Sequence, residues 1–138
     1  NTFMLTYGDG VSDVNIPKLV KFHESHGKMA TLTAINVGQK FGVLDIDDGD
    51  NITAFREKME NDGNVINGGF MVLDPGVFDL IDGDETVFEK KPLETLVRKG
   101  QLMAYRHKGF WQCMDTQRDK QLLENLWASE DAPWKLWK

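Results

Sequence analysis

The sequence predicts an α/β fold in which helices flank a mixed, mostly parallel sheet. Three consecutive stretches predict it: an apolar run at 3–7, an amphipathic stretch at 16–26 and a β-rich run at 29–37. Strand, helix and strand in this order make a βαβ unit, in which the two strands are parallel. A hairpin further along the chain would add antiparallel pairing, and we therefore expect the sheet to be mixed.

The first strand runs directly into an acidic turn between two glycines. Residues 3–7 have almost no polar interruption, as expected for a central parallel strand that is covered on both faces. Gly8 and Gly10 let the backbone turn sharply and approach a ligand, so that Asp9 lies at the carboxyl end of the strand. In open α/β sheets ligands bind at that end, but Gly and Asp also dominate ordinary turns.

The first helix has clear signals at both ends. Asn15 is a favourable N-cap, Pro17 fits the first turn, and Gly27 ends the helix. The β-rich run that follows is expected to be the parallel partner of the first strand. The residues with the i, i+3, i+4, i+7 spacing of an amphipathic helix are Ile16, Leu19, Val20 and His23.

The middle of the chain contains a predicted β-hairpin. Asp48 and Gly49 lie between the apolar runs 41–46 and 52–56, and Asp-Gly is a strong hairpin signal. The aspartates of this turn do not match a calcium loop, because the glycine comes one position too early and the distal glutamate is missing. We therefore expect a structural hairpin at this position.

The second half is expected to continue the alternation of strands and helices. Gly68 and Gly69 interrupt an apolar run and predict a bulge or a close backbone approach. Thr86 and Glu89 are spaced as a capping box for a helical segment that Pro92 interrupts or restarts and that Gly100 ends. The other predicted elements are a strand at 65–73, a short helix at 75–81, a strand at 102–107 and an aromatic loop at 109–115.

The C-terminal region combines a helix with an aromatic tail. Asp115 is the predicted N-cap of the helix, and Pro133 begins a tail that we expect to pack on its own domain or on a neighbouring subunit. We expect one domain over 1–138, with the sheet core and the site in 1–115 and the helix and tail in 116–138. The predicted apolar stripe of the helix consists of Leu122, Leu123, Leu126 and Trp127.

Composition excludes several classes of function. The 138 residues suffice for one domain with a core, and the net charge of −6 argues against non-specific binding to nucleic acid or membranes. Cys113 is the single cysteine, which excludes an intrachain disulfide and a thiolate metal cluster and favours a reducing cytoplasm. No apolar run approaches the roughly 18 residues of a membrane helix.

Residues with catalytic potential lie at strand ends or in the loops that follow strands. Asp9 and Asp115 could share a divalent cation, since Mg²⁺ is commonly held by one or two carboxylates plus substrate phosphates. A plain helix N-cap explains Asp115 equally well. Lys58 beside Glu57 could pair with a phosphate and a hydroxyl, or the two could be a solvated surface pair. His23, His26 and His107 lack the spacing of a ligand set, and we expect each to have a helix-face or strand-surface role.

Five motifs, in this order and over nearly the whole chain, resemble those of the sugar-phosphate nucleotidyltransferases. The closing Ala132-Pro133-Trp134-Lys135 favours the cytidylyltransferases over the thymidylyl- and uridylyltransferases. The five motifs are Tyr7-Gly8-Asp9-Gly10, Lys40-Phe41-Gly42-Val43-Leu44-Asp45, Arg56-Glu57-Lys58, Ile66-Asn67-Gly68-Gly69-Phe70 and Phe110-Trp111-Gln112-Cys113-Met114-Asp115-Thr116.

The resemblance implies a Rossmann-like nucleotidyltransferase fold that lacks its N-terminal nucleotide-binding half. The implied reaction is a Mg²⁺-dependent attack of glucose 1-phosphate on the α-phosphorus of CTP, which yields CDP-glucose and pyrophosphate for dideoxysugars of surface polysaccharide. The family begins with a glycine-rich loop that bears an Arg and a later Lys, and this sequence has no counterpart of it. The resemblance therefore implies that this chain is the carboxyl-terminal part of a cytoplasmic homo-oligomeric enzyme and that the chain is inactive by itself.

The motif matches also imply roles for individual residues. Asp9 and Asp115 would hold Mg²⁺ and act in catalysis together with Lys58, which would contact the sugar phosphate. Glu57 and Asn67 would contact the sugar hydroxyls. The other substrate-binding residues that the resemblance implies are Gly8, Gly42, Gly68 and Trp111.

Two positions depart from the family pattern, and two other functions remain open. Met59 and Cys113 stand where the family usually has proline, which leaves the charged groups in place but changes the backbone that holds them. A non-catalytic sugar-phosphate binding or assembly module would lack the nucleotide loop by nature. A glycosyltransferase would need a D-x-D metal motif at a strand end, whereas Asp45-Ile46-Asp47 lies in the predicted hairpin.

Overall fold

A computed structural model describes residues 1–36, 43–56 and 65–137. Strands and helices alternate along the chain as the sequence predicts. The elements are β1 (Phe3–Thr6), β2 (Gly10–Ser12), α1 (Ile16–His26), β3 (Ala30–Asn36), β4 (Val43–Ile46), β5 (Ile52–Arg56), β6 (Val65–Leu73), a 3₁₀-helix (Pro75–Leu80), α2 (Lys91–Arg98), β7 (Leu102–His107), β8 (Trp111–Cys113) and α3 (Gln117–Ala128).

The main sheet is mixed, and its strand order is β1-β6-β3-β7. In the described part of the chain, β6 is antiparallel to both β1 and β3, and β3 is parallel to β7. Three of these four strands, β1, β3 and β7, thus run in the same direction and β6 runs against them, so the sheet is mixed as expected. The βαβ prediction fails in one respect, because β6 lies between β1 and β3, which are parallel to each other but not paired.

The first strand is an edge strand of the described sheet, not a central one. Its side chains alternate between half-buried and exposed, and Met4 is 61% exposed. Phe3, Leu5 and Tyr7 pack against the core, whereas the side chains between them lie on the other face. The sequence of β1 is nearly all apolar, yet only one face of the strand is buried. Thr2, Met4 and Thr6 lie on the other face and do not require burial.

The glycine bulge in β6 is confirmed. The register of β6 against β3 shifts between Leu32 and Ala34, and Gly69 has a φ of +84°. A Cβ atom on Gly68 would lie 2.4 Å from Cγ1 of Ile35, so the two strands approach more closely than any side chain at this position allows. The bulge brings the backbone of β6 towards the turn that follows β1.

Helix α1 begins and ends as predicted. Oδ1 of Asn15 accepts a hydrogen bond from the backbone N–H of Lys18 at 3.0 Å, and Gly27 ends the helix with a φ of +64°. Leu19 and His23 are buried against the sheet. The opposite face of the sheet packs against α2, the 3₁₀-helix and the β4–β5 hairpin, which forms as predicted.

Two predicted helix starts are wrong. Helix α2 begins at Lys91, with Pro92 in its first turn, and Oγ1 of Thr86 instead accepts hydrogen bonds from the backbone of Asp82 and Gly83. The proline sets the start, because its φ suits the first helical turn. The N-cap of α3 is Thr116, which forms a capping box with Asp119, whereas Asp115 precedes the cap.

The C-terminal region is only partly covered. Half of the apolar stripe of α3 is exposed, with Leu122 at 44% and Trp127 at 52%. Trp134 of the tail packs between the rings of Phe110 and Trp127, while Trp137 remains 59% exposed. None of the helices in the described ranges is long and apolar enough to cross a membrane.

Candidate active site

Three segments meet at one edge of the main sheet. The carboxyl ends of β1, β3 and β7 lie there beside the first half of β6, because Thr6 is opposite Phe70 and Ile35 is opposite both Ile66 and His107. The residues that follow β1 and β7 therefore reach the same region as the bulge of β6. We call this edge the site edge.

Asp9 and Asp115 converge at the site edge, as predicted. The strand β8 lies inside the predicted aromatic loop and pairs with β2, so that Gly10 is opposite Cys113. The backbone N–H of Met114 donates to the carbonyl oxygen of Asp9 at 2.7 Å. Both aspartates are exposed and lie just beyond this ladder, Asp9 directly before Gly10 and Asp115 two positions after Cys113. The arrangement offers carboxylates from two distant parts of the sequence to one ligand.

The two carboxylates fit a Mg²⁺ ion that completes its coordination with substrate and water. In the described part of the chain, no group of three or more His, Cys, Asp or Glu side chains could hold a metal ion. Mg²⁺ commonly keeps several waters and uses one or two carboxylates plus phosphates. Burial, followed by the charges of Asp115 and Asp119, raises the pKa of the Cys113 thiol to about 11. The thiol therefore stays protonated, and a protonated thiol does not compete with carboxylate oxygens for a divalent cation.

Asn67 is held by the bulge and by the first strand. Its Oδ1 accepts a hydrogen bond from the N–H of Gly69 at 2.9 Å, and its Nδ2 donates to the hydroxyl of Tyr7 at 3.2 Å. The carbonyl of Gly68 accepts a hydrogen bond from Nε1 of Trp111 at 2.8 Å. These residues connect β1, β6 and β8, and their predicted contacts with a sugar remain predictions.

Two residues at the site edge were not predicted, Tyr7 and Glu89. Burial, followed by the Glu89 carboxylate, raises the pKa of Tyr7 above its usual value. The sequence predicts Glu89 in a helix cap and a restart of the helix at Pro92. The helix begins at the restart, because a proline suits the first turn, and Glu89 lies before it.

A second group of residues that the sequence did not predict holds the loop that leads into β8. Oδ1 of Asp13 accepts a hydrogen bond from the N–H of Phe110 at 2.8 Å and lies 2.9 Å from Nε2 of His107. Oγ of Ser12 donates to the carbonyl of Phe110 at 2.6 Å. A Cβ atom on Gly109 would lie 2.5 Å from Oδ1 of Asp13. His107 is thus mostly buried rather than on the surface as predicted, and no local sequence signal reveals this contact.

A cavity of about 390 Å³ lies at the site edge, between the ends of β3, β6 and β7. Arg106 and Lys108 carry positive charge into its lining, although Nε of Arg106 also pairs with Oδ1 of Asp50 at 3.1 Å. Cationic side chains at a concave surface favour anionic ligands. The residues that line the cavity are Ala34, Ile35, Asn36, Val65, Arg106, His107, Lys108 and Gly109.

The other end of the sheet contains the remaining two histidines. His23 is buried, with Nε2 3.0 Å from Oδ1 of Asp74 and Nδ1 2.8 Å from Oγ1 of Thr31. His26 has Nε2 2.7 Å from the same Thr31 oxygen. Burial, followed by the charge of His23, lowers the pKa of His26 to about 4. His23 thus lies on the buried face of α1, in the helical stripe that the sequence predicts, and both of its ring nitrogens have side-chain partners.

Three predicted site residues lie outside the described ranges. They are Gly42, Glu57 and Lys58, and Met59 also lies there. Their predicted roles at the sugar and its phosphate remain predictions. The described ends of β4 and β5 are Val43 and Arg56, directly beside them in sequence.

Solved structures with the same fold support the architecture. The chain superimposes with a TM-score of 0.75 and 18% identity on a putative glucose-1-phosphate thymidylyltransferase from Bacillus anthracis, covering 91% of this chain and 54% of that one. HddC from Yersinia pseudotuberculosis matches with a TM-score of 0.72 and 20% identity over 88% of this chain and 53% of that one. At these identities the likeness shows the fold alone.

Comparison of sequences gives the family. The chain is 54% identical over 136 residues to a glucose-1-phosphate cytidylyltransferase of Salmonella typhi, covering 99% of this chain and 52% of that protein. A probable glucose-1-phosphate cytidylyltransferase of Bacillus subtilis is 43% identical over 137 residues, covering 99% of this chain and 53% of that protein. The chain thus spans about half the length of these relatives. The nucleotidyl transferase family matches residues 1–126, and the chain therefore belongs to that family.

Proposed function

We propose that the protein containing this chain transfers a cytidylyl group from CTP to glucose 1-phosphate, which gives CDP-glucose and pyrophosphate with Mg²⁺ as cofactor. The observation that carries the proposal is the juxtaposition of Asp9 and Asp115 across the β2–β8 ladder. Relatives that are 54% and 43% identical carry the name of this activity, which supports the choice of nucleotide and sugar.

The chain contributes positioning and charge rather than a nucleophile. Asp9 and Asp115 would hold Mg²⁺, which when bound neutralises negative charge on the phosphates. Lys58 is proposed to bind the sugar phosphate, and Glu57 and Asn67 the sugar hydroxyls. The substrate phosphate supplies the attacking oxygen, so the protein aligns two substrates and stabilises the developing charge.

This chain is proposed to supply the sugar-phosphate and metal side of the site. The sequence contains no counterpart of the glycine-rich loop by which the family binds the nucleotide, and its net charge of −6 does not favour a triphosphate. Electrostatic stabilisation is usually the largest catalytic term, and we expect the chain alone to be inactive. The second candidate is a non-catalytic module that binds sugar phosphate.

Assembly and cellular role are also proposals. Exposed Trp127, Leu136 and Trp137 form an apolar surface at the C-terminal region, which supports a homo-oligomer. The single cysteine supports a cytoplasmic location. A product such as CDP-glucose supports a role in making dideoxysugars of surface polysaccharide.

The test is a transfer assay with variants of the two aspartates. Asp9→Asn and Asp115→Asn remove one charge each with little change of shape, and we expect each to lower kcat about a hundredfold or more. CDP-glucose formation from CTP and glucose 1-phosphate is measured by chromatography. Asp84→Asn, at an exposed aspartate away from the site edge, is the control and should match the wild type.

Two outcomes would contradict the proposal. Wild-type protein that binds glucose 1-phosphate but forms no CDP-glucose would favour the non-catalytic module. If both aspartate variants keep an activity within threefold of the Asp84→Asn control, the activity does not depend on the proposed metal pair.

A further inference from the structure

The proposed site lies on two parts of the fold that need a fixed relative position. The short two-stranded sheet β2–β8, which we call the ribbon, leads at one end to Asp9 and Asp115, the proposed metal pair. The main sheet carries Asn67 and Gly68 in β6, which are predicted to contact the sugar. Each strand of the ribbon is three residues long, and a two-stranded sheet is marginal by itself. Contacts with the main sheet are therefore needed to hold the ribbon in place.

The backbone of Phe110, directly before β8, is hydrogen bonded through both of its polar groups. Its N–H donates to Oδ1 of Asp13 at 2.8 Å. Its carbonyl oxygen accepts from Oγ of Ser12 at 2.6 Å and from the backbone N–H of Asp13 at 3.3 Å. Nε2 of His107 lies 3.2 Å from the same carbonyl oxygen. We call these four residues the clamp: Ser12, Asp13, His107 and Phe110.

The partners in the clamp set the direction of its hydrogen bonds. Nε2 of His107 lies 2.9 Å from Oδ1 of Asp13 and also faces the carbonyl oxygen of Phe110. A carboxylate and a carbonyl are both acceptors, so Nε2 carries a hydrogen and donates it. Oδ1 of Asp13 thus accepts from the His107 ring and from the Phe110 backbone. One carboxylate oxygen connects a side chain of β7 with the segment before β8.

The clamp is packed tightly. The side chain of His107 is 11% exposed and that of Asp13 is 30% exposed. A Cβ atom on Gly109 would lie 2.5 Å from Oδ1 of Asp13 and 2.8 Å from Cε1 of His107, so the backbone of the loop passes directly over the pair. In such a partly buried place, a polar group that loses its partner is costly.

The clamp connects the ribbon to the main sheet. His107 is the last residue of β7 and is opposite Ile35 of β3, whereas Asp13 directly follows β2. The hydrogen bond between Asp13 and His107 therefore joins the ribbon to the end of β7. Trp111 makes a second connection, because its Nε1 donates to the carbonyl oxygen of Gly68 in β6 at 2.8 Å.

A different contact holds the metal pair together. The backbone N–H of Met114 donates to the carbonyl oxygen of Asp9 at 2.7 Å, at the end of the ribbon away from the clamp. Asp115 is the next residue after Met114 and is therefore held near Asp9 by the ribbon itself. Loss of the clamp should shift the ribbon against the main sheet and leave the metal pair intact.

We propose that Asp13 and His107 are positioning residues that hold the ribbon against the main sheet and thereby align the metal pair with the sugar-binding side of the site. The proposal rests on the proposed function, because it concerns the geometry of the same site. Neither residue needs to touch the substrate or the metal. A misplacement of about 1 Å is enough to lower a rate about a hundredfold.

Variants of Asp13 test the proposal in the protein that contains this chain. Asp13→Ala removes the acceptor, and we expect kcat for CDP-glucose formation to fall about ten- to a hundredfold. Asp13→Asn keeps an oxygen acceptor and should stay within about threefold of the wild type. Asp79→Ala, at an exposed aspartate of the 3₁₀-helix that follows β6, is the control and should leave kcat unchanged.

The affinity for Mn²⁺, measured by water proton relaxation, separates alignment from damage to the metal pair. In Asp13→Ala it should stay within about threefold of the wild type, because neither proposed ligand is changed. Loss of the whole fold would lower the affinity and kcat together.

Variants of His107 test the other half of the connection. His107→Leu removes the donor and should also lower kcat, whereas His107→Gln keeps an N–H donor and should recover most of the rate. The double variant Asp13→Ala/His107→Leu should lose less than the product of the two single effects, because both changes break the same connection. If Asp13→Ala does not fold, the comparison of His107→Leu with His107→Gln gives the decision.

A measurement without turnover separates this inference from the proposed function. In ¹⁵N-labelled protein, Asp13→Ala should shift the indole N–H signal of Trp111, which reports the second connection to the main sheet, and Asp79→Ala should not. A wild type that makes no CDP-glucose would refute the proposed function, and the Trp111 signal would still decide whether the clamp holds the ribbon.

Three results would overturn the inference. One is a Trp111 signal that is the same in Asp13→Ala and in the wild type. Another is an equal kcat for Asp13→Ala and Asp79→Ala. The third is a loss of Mn²⁺ affinity in Asp13→Ala of about tenfold or more, about 1.4 kcal/mol, because Asp13 would then act on the metal pair itself.

Discussion

The two ends of the main sheet use polar side chains in opposite ways. At the end that contains His23, each nitrogen of this buried ring has a partner, and Thr31, the partner of Nδ1, is fully buried. At the site edge, Asp9 and Asp115 are exposed and lie just beyond the paired residues of β2 and β8. The first arrangement stabilises the fold, whereas the second places like charges together.

The difference indicates where the molecule gives up stability for binding. Like charges at adjacent positions are unfavourable, and they become favourable when a cation or a cationic ligand lies between them. A buried network with every partner present has the reverse property, because losing one member leaves the others unpaired. Substitutions at the two ends should therefore separate stability from activity.

The largest effect on stability is expected from His23→Leu. The change removes the histidine partner of Oδ1 of Asp74 and one of the two histidine partners of the buried Thr31 hydroxyl, and we expect a loss of about 2–3 kcal/mol in the free energy of unfolding. Urea unfolding measures it, with Glu24→Leu at the exposed neighbouring position as the control. At a temperature where both variants are folded, kcat should equal that of the wild type. A fall in kcat without loss of stability would contradict the claim that the end with His23 serves stability and not activity.

A smaller loss is expected at the bulge of the site edge. The methyl group of Gly68→Ala would lie 2.4 Å from Cγ1 of Ile35, and we expect the forced shift to cost about 1–3 kcal/mol. Gly83→Ala is the control, because nothing lies within 4 Å of a Cβ atom there. Combining Gly68→Ala with Ile35→Ala should cost less than the sum of the two changes. If the losses of unfolding free energy of the two single variants simply add in the double variant, the close approach of Gly68 to Ile35 does not constrain the bulge.

The smallest effect concerns pH and His26. Because the pKa of His26 is lowered to about 4 in the folded protein, the unfolded chain takes up a proton first as pH falls below about 6.5. The stabilising contribution is therefore complete above pH 6.5 and is lost as pH falls towards 4. His23, Lys28 and Asp74 are the charged neighbours of the ring. After allowance for solvent at this partly exposed ring, we expect no more than about 1 kcal/mol.

Comparison of unfolding at pH 7.5 and pH 5 measures this contribution. His26→Gln removes the titrating ring and should reduce the difference in unfolding free energy between the two pH values. An equal difference in the wild type and the variant would mean that other groups carry the pH dependence.

Local signals in the sequence predicted the elements well. The cap of α1 at Asn15, the hairpin around Asp48 and the bulge at Gly68 all depend on the conformational preferences of single residues. The place of β1 at the edge could not be predicted in this way. An apolar run shows that burial is possible, but only the pairing of distant strands decides which faces are covered.

The site was predictable only in part for the same reason. Residues at strand ends and the family motifs pointed to Asp9 and Asp115, which the structure brings together. The contact of Asp13 with His107 joins positions that are 94 residues apart, and no spacing rule predicts such a pair. The spacing of Glu89 from Thr86 predicts a local cap, whereas α2 begins only at Lys91 and the Glu89 carboxylate helps to raise the pKa of Tyr7.

The most direct test of the account is metal binding at the site edge. With Mn²⁺ as a paramagnetic probe for Mg²⁺, water proton relaxation measures its affinity for the wild type, Asp9→Asn, Asp115→Asn and the Asp84→Asn control, with and without CTP. We expect Asp9→Asn and Asp115→Asn each to weaken binding by at least about tenfold, since about 1.4 kcal/mol of lost ionic contact already gives that factor. Asp84→Asn should bind as the wild type does. Equal affinity in all four proteins would contradict the claim that Asp9 and Asp115 hold one metal ion.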